Sequence, residues 1–270
     1  MLSDHKNEKF DVVIVAGQSN AQGCGAGDAE DYEEDPSVLE LTESFTADVA
    51  KTAYGNEYLD IRLSGEYDIN VMKQKGDGKA KTGSFAYKFA ELYRKNDLKR
   101  GRKLLIVQAA VGGTGFSKNH WGVGEILYER LLKMTEIALS LNKDNRLVCV
   151  LWHQGEHDTF ENPQFTYAER RAFYAGKLKD MTESFFANFG KVPFIAAGFT
   201  RLWTEEYPSQ CKAVYDAYAD VMKEDGNIKF VKTDDLLSNK EKVGGSDQVH
   251  FCRDALNALG ERYYAEYSRR

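Results

Sequence analysis

A serine, an aspartate and a histidine can together split an ester, and this chain of 270 residues carries candidates at Ser19, Asp247 and His250. A serine hydroxyl is a weak nucleophile until a base within hydrogen-bond reach takes its proton. His250 has near-neutral basicity, which suits that task. Its ring must be held in one tautomer by a carboxylate on the other nitrogen. Asp247 stands three residues earlier, a spacing that lets one side chain bend back to the other in a tight turn or just ahead of a helix. Acyl transfer further needs donors aimed at the developing oxyanion. The backbone N–H groups of Ser19 and Gly113 are candidates, with the Gln154 amide as a third. Gln18, Glu156 and Arg201 are supporting or substrate-binding candidates. Each residue also has a plainer reading. Ser19 suits a helix cap or turn, Asp247 a cap on the last helix, His250 a structural histidine, and Arg201 a partner for an acidic neighbour.

These residues are far apart in sequence, so strands and helices must gather them. Val12-Val13-Ile14-Val15-Ala16 is a β-branched apolar run that reads as a strand buried on both faces, and it stops at Gly17-Gln18-Ser19-Asn20. Similar runs at 104–111, 147–152, 192–199 and 228–232 end at Gly112-Gly113-Thr114-Gly115, at His153-Gln154-Gly155-Glu156, at Thr200-Arg201 and before the loop that bears Asp247 and His250. Apolar residues at helical spacing predict helices over 84–95, 124–141, 166–189, 209–223 and 253–267. Alternating strands and helices predict one five-stranded parallel sheet with helices on both faces and right-handed crossovers. In such a sheet the strand ends share one rim, where open α/β folds place their sites. That convergence carries the argument. Residues 1–270 read as one catalytic domain, with a long loop and β excursion at about 24–83. The excursion opens acidic (Asp28, Glu30, Asp31, Glu33, Glu34, Asp35), turns rich in glycine and lysine at 73–79, and holds two candidate short strands at 37–41 and 60–63.

Composition narrows the function classes. Apolar residues make up 42% of the chain, enough for a sizeable core, and the net charge of −6 without a basic stripe disfavours nucleic acid as a partner. No apolar run approaches the ~18 residues of a membrane span. The first residues, MLSDHKNEKF, lack an apolar signal core. That leaves a cytoplasmic protein if this terminus is native, and a secreted or periplasmic one if a signal peptide was trimmed. Cys24, Cys149, Cys211 and Cys252 show no CxxC spacing, and Cys149 lies in an apolar run as a buried small hydrophobe. His153 and His157 stand four apart, but a metalloprotease places its Glu directly after the first His, where Gln154 stands here. Neither a metal nor a cofactor is expected. The Gly112 to Gly115 stretch lacks both the GxGxxG spacing and the P-loop lysine. Trp121 and Trp203, at predicted loops, suit either sugar stacking or packing.

The chain resembles the SGNH hydrolases, and within them the branch of sialate O-acetylesterases and carbohydrate esterase family six acetylxylan esterases. Four blocks carry the resemblance in order: Gly17-Gln18-Ser19-Asn20-Ala21-Gln22-Gly23, Gly112-Gly113-Thr114, Trp152-His153-Gln154-Gly155-Glu156-His157-Asp158, and Asp247-Gln248-Val249-His250-Phe251. Ala21 replaces the commoner Met, and His157 stands where a small polar residue is frequent. The resemblance implies a three-layer α/β/α sandwich with a central five-stranded parallel sheet, flavodoxin-like in outline, and metal-free removal of acetyl groups from carbohydrates, so an acetylated carbohydrate is the expected partner. Ser19 maps to the nucleophile, His250 to the base, Asp247 to its orienting acid, and Gly113 and Gln154 to the oxyanion hole, with Gly112 as the alternative donor to Gly113. Glu156 maps to a family acid that orders Gln154 or the serine turn, or competes with Asp247 for His250. A different serine esterase of the α/β-hydrolase type, whose G-x-S-x-G elbow Gly17-x-Ser19-x-Ala21 approaches, and a non-catalytic carbohydrate-binding relative are the alternatives.

Overall fold

The first apolar run becomes β1 (Phe10–Gly17), buried along its whole length and placed inside a seven-stranded sheet. The computed structural model describes residues 2–27, 32–52, 55, 57–74 and 82–269. The other strands are β2 (Val38–Lys51), β3 (Glu57–Val71), β4 (Lys103–Gln108), β5 (Arg146–His153), β6 (Phe194–Ala197) and β7 (Ile228–Val231), in the order β3-β2-β4-β1-β5-β6-β7. The five strands expected from the apolar runs lie side by side as β4-β1-β5-β6-β7 and pair in parallel. Alternate residues of β1 point to opposite faces, as strand geometry requires. Val12 and Ile14 join a core with α3 (Ile126–Ser140), α5 (Tyr167–Phe189) and α7 (Pro208–Glu224). Val13 and Val15 join a second core with α2 (Phe85–Asn96) and α9 (Arg253–Ser268). The expected α/β/α layering is therefore present.

The strand count corrects the expectation of five. Residues 38–71, expected to hold little regular structure, form a long hairpin of 14- and 15-residue strands. β2 extends the sheet by pairing in parallel with β4 over Val38 to Leu41, and β3 pairs with β2 antiparallel. A register shift between Glu43 and Phe45 bends the hairpin. The Glu43 carboxylate fills that bend: it accepts from the Gly65 N–H at 3.1 Å and from Arg130 of α3 at 2.7 Å. Arg130 also donates to the Ala109 carbonyl at 2.8 Å and lies 4.9 Å from the centre of the Phe45 ring. Both charges are buried, so the pair fixes the hairpin to the α3 layer. The acidic residues Asp28, Glu30 and Asp31, and the glycine–lysine residues 75–79, lie outside the described residues.

On the carboxyl rim the strand ends lead into further short helices. α1 (Ser19–Gln22) follows β1, α4 (Glu156–Phe160) follows β5, α6 (Arg201–Glu206) follows β6, and α8 (Asn239–Val243) precedes the histidine loop. Among the described residues no helix is long and apolar enough to cross a membrane.

Candidate active site

The end of β1 is built for an abrupt turn. Gly17 has φ +122, and a Cβ there would stand 2.0 Å from the His153 carbonyl oxygen, so only glycine fits against β5. The Gln18 N–H donates to that carbonyl at 2.9 Å, and the Val111 N–H donates to the Gly17 carbonyl at 3.0 Å. The chain then enters α1, with Ser19 as its first residue and Gly23 ending it by donating to the Ser19 carbonyl at 3.0 Å.

Ser19, His250 and Asp247 come together as the sequence predicts. Ser19 Oγ lies 2.8 Å from His250 Nε2. The other ring nitrogen, Nδ1, lies 2.9 and 3.0 Å from the two Asp247 carboxylate oxygens. A carboxylate accepts only, so Nδ1 carries the proton and Nε2 is left to accept from the serine. The His250 backbone N–H donates to the same carboxylate at 3.2 Å, which closes the turn. Burial pushes the Asp247 carboxyl upward, but hydrogen bonds from Asn239 and His250 hold it below its ordinary value, ionised at neutral pH. Glu156 does not compete for His250.

The oxyanion candidates separate. A Cβ on Gly112 would lie 3.4 Å from Ser19 Cβ, so this loop runs beside the nucleophile. The Gly112 N–H is engaged by Gln22 Oε1 at 3.1 Å. The next residue, Gly113, is exposed, and among the described residues neither its N–H nor that of Ser19 has a hydrogen-bond partner. The loop is held from behind. Asp158 accepts from the backbone of Phe116 and Ser117 at 3.1 and 2.7 Å, and Thr114 Oγ1 accepts from Trp121 Nε1 at 2.9 Å. Gln154 departs from expectation. It is fully buried, and its amide nitrogen donates to Asp158 at 2.6 Å and to the Thr114 carbonyl at 3.2 Å. Both of its protons are spent inside the protein because the Asp158 carboxylate is the stronger acceptor, so Gln154 braces the loop and aims no donor at a substrate. Gln18 is also buried, with Oε1 3.3 Å from the His157 N–H at the start of α4.

The remaining candidates take supporting or peripheral places. The buried Glu156 accepts from Asn20 Nδ2 at 2.7 Å and lies 3.2 Å from His153 Nδ1. Burial pushes its carboxyl upward, yet His153 and Asn20 hold it below its ordinary value. Arg201 is exposed and bonds Glu205 at 2.7 Å and Glu241, so it is an ion-pair residue and not part of the Ser19 cluster. His153 donates through Nε2 to the Gly198 carbonyl at 3.0 Å, whereas His157 faces Glu161 at 3.4 Å; the two do not converge. Among the described residues no three His, Cys, Asp or Glu side chains are grouped to hold a metal. Trp121 is fully buried and Trp203 nearly so, packed on Phe160 and Tyr207; both pack, and neither offers a stacking face.

Two asparagines were not anticipated. Asn20 donates to the Val249 carbonyl at 3.1 Å and accepts from the Phe251 N–H at 3.1 Å, gripping the backbone on both sides of His250. Asn239 donates to Asp247 Oδ2 at 2.9 Å, and its own N–H donates to the His250 carbonyl at 2.8 Å. Asn20 is contained in the first sequence block. The only sequence sign of Asn239 is its place inside Ser238-x-x-Glu241, a capping box that starts α8.

A hydroxyl, a base in the correct tautomer, an ionised acid and two open N–H donors on one rim can perform acyl transfer. Comparison with known proteins points the same way. The sequence profile of the family described as carbohydrate esterase, sialic acid-specific acetylesterase matches residues 9–269. A probable 9-O-acetyl-N-acetylneuraminic acid deacetylase of Escherichia coli (strain K12) is 27% identical over 155 residues, which is 47% of this chain and 44% of that protein. The match thus spans less than half of that relative. The crystal structure of NanS superposes with a TM-score of 0.73 at 19% identity, over 97% of this chain and 98% of that one. A protein from Arabidopsis thaliana superposes at 0.67 and 18% identity, over 96% and 97% of the two chains. At such identities these structures speak for the fold.

Proposed function

The chain belongs to the carbohydrate esterase, sialic acid-specific acetylesterase family, and from that premise we propose that it is a carbohydrate O-acetylesterase working through an acetyl-serine intermediate. The observation that carries this reading is the unbroken line from Ser19 Oγ through the His250 ring to Asp247, at 2.8 and 3.0 Å. Ser19 Oγ attacks the acetyl carbonyl as its proton passes to His250 Nε2. Asp247 stabilises the imidazolium that forms. The Ser19 and Gly113 N–H groups receive the oxyanion. Collapse of the tetrahedral adduct breaks the ester bond, and His250 gives the proton to the departing sugar oxygen, which leaves as a hydroxyl. Water then gives its proton to His250, attacks the acetyl-serine and releases acetate, and the proton returns to Ser19. The family and the Escherichia coli relative favour an O-acetylated sialic acid as the sugar.

The test is hydrolysis of p-nitrophenyl acetate and butyrate by the wild type and Ser19→Ala, with and without chelator, followed by O-acetylated sialic acid against acetylated xylan. The expected result is acetate preference, indifference to chelator, and a loss of at least about a thousandfold in kcat for Ser19→Ala. Unchanged hydrolysis by Ser19→Ala refutes the assignment of the nucleophile, and loss of activity to chelator refutes the metal-free mechanism.

A further inference from the structure

The Asp247 carboxylate receives donors from the turn that contains it, namely the His250 ring and backbone N–H groups, and one from outside that turn, the Asn239 amide. Asn239 is 5% exposed, and its side chain is fully engaged. Its Oδ1 accepts from the Ala26 N–H at 2.8 Å, and Nδ2 donates to the Cys24 carbonyl at 3.2 Å as well as to Asp247. A backbone N–H can only donate, so the bond from Ala26 fixes which end of the amide faces it and leaves the NH2 end toward the carboxylate. One buried residue thus ties the segment that follows the nucleophile to both the acid and the base.

We propose that Asn239 is a positioning residue for the esterase reaction, whose amide proton fixes the orientation and charge of Asp247 so that His250 is presented to Ser19 as a base of the correct strength. The inference rests on the esterase reading of the site. An acceptor in place of that donor raises the proton affinity of the acid. A more basic carboxylate stabilises the imidazolium more strongly and keeps His250 protonated to higher pH. Elements packed around the turn contribute Ser19, Glu156 behind Asn20, Arg201, Lys240, Glu241 and Arg253. Among the described contacts none of these donates to the Asp247 carboxylate, whereas Asn239 and His250 hold its carboxyl low.

Asn239→Asp and Asn239→Ala separate positioning from scaffolding. The aspartate variant keeps the oxygen that Ala26 donates to and replaces the donor facing Asp247 by a second carboxylate; the alanine variant removes both. With p-nitrophenyl acetate, Asn239→Asp is expected to lose at least about tenfold in kcat at pH 8 and more than Asn239→Ala, with KM within about twofold of wild type. The acid limb of kcat/KM is expected to move to higher pH, and NMR titration of the His250 ring is expected to show the same shift. The proposal is overturned if Asn239→Asp keeps wild-type kcat and its acid limb, or if both variants lose activity only in proportion to lost thermal stability with the His250 titration unmoved. The titration does not depend on turnover. If Ser19→Ala shows that the esterase reading is wrong, a shifted His250 titration in Asn239→Asp still supports the coupling, and an unshifted one overturns it.

Discussion

Replacing Gly17 by alanine tests whether the turn at the end of β1 is what delivers Ser19. The residue has φ +122, a region that side chains avoid at a cost of about 1–3 kcal/mol. The added Cβ would also lie 2.0 Å from the His153 oxygen and 2.5 Å from its carbon. A Cβ essentially never stands closer than 3.0 Å to another heavy atom, so the ends of β1 and β5 must part by at least about 1 Å. The hydrogen bonds from Gln18 to His153 and from Val111 to Gly17 are then weakened, at about 1 kcal/mol each. The sum is about 3–5 kcal/mol, a large share of a typical folding free energy. Urea unfolding is expected to show a midpoint lower by about 1 M or more. The protein that stays folded is expected to lose about a hundredfold in kcat, the usual effect of misplacing a reacting group by about 1 Å. Gly190→Ala is the control: it also has a positive φ, of +84, but nothing lies within 4 Å of its added Cβ. Backbone strain is therefore its only cost, about 1–3 kcal/mol, with activity unchanged. If Gly17→Ala matches Gly190→Ala in both stability and kcat, the close approach of β1 to β5 does not position the nucleophile.

Two further outcomes follow from buried charges away from the site. Arg130→Met leaves Glu43 buried without its partner and is expected to cost about 3–5 kcal/mol in urea unfolding, whereas the double variant with Glu43→Leu recovers most of that loss; equal losses in the single and double variants refute a coupled pair. Asp11, at the start of β1, accepts from Arg146 and Arg102, each at 2.6 Å, and from Tyr93 at 2.7 Å; burial pushes its carboxyl up, but these donors hold it below the usual range. Its folded value is lower than its unfolded one, so its contribution to stability is full above about pH 4 and is lost as pH falls through the folded value. Stability measured against pH is expected to fall less steeply below about pH 4 in Asp11→Asn than in wild type, and an unchanged slope refutes the assignment.

How much of this was legible in the sequence depended on what each residue packs against. The five parallel strands are buried on both faces, so burial alone dictates their apolar runs and the runs suffice to find them. The large helices begin where their caps stand: Thr166, whose hydroxyl and Glu169 form a capping box, starts α5, and Ser84 caps α2. The hairpin was harder because one of its faces meets solvent. Its signal is period two, not a run. Leu59, Ile61, Leu63, Tyr67, Ile69 and Val71 alternate along β3 and turn toward the core, but Gly65 interrupts them, and Glu43 occupies an inward position on β2. A buried glutamate reads as a break in a strand unless its arginine, 87 residues away in sequence, is known to meet it.

The site divides along the same line. Ser19, Asp247 and His250 were legible because their chemistry demands one another at any separation, so a plausible set can be assembled before the fold is known. Gln154 shows the limit of that logic. An amide on the rim is a natural oxyanion donor in isolation, yet Asp158 lies one helical turn further on and captures it at 2.6 Å. The choice between donating to substrate and bracing a loop is made by the neighbour, four residues away. Asn20 and Asn239 show the converse. Nothing in an asparagine announces a role, since its amide serves caps and turns throughout a protein. What distinguishes these two is the sharing of partners. Asn20 holds the backbone on both sides of His250, and Asn239 holds the carbonyl of His250 together with the carboxylate that orients its ring. The imidazole is therefore fixed at its main chain from the nucleophile side and from α8. It can exchange a proton with Ser19 without moving, which is what a base used twice in each catalytic cycle requires.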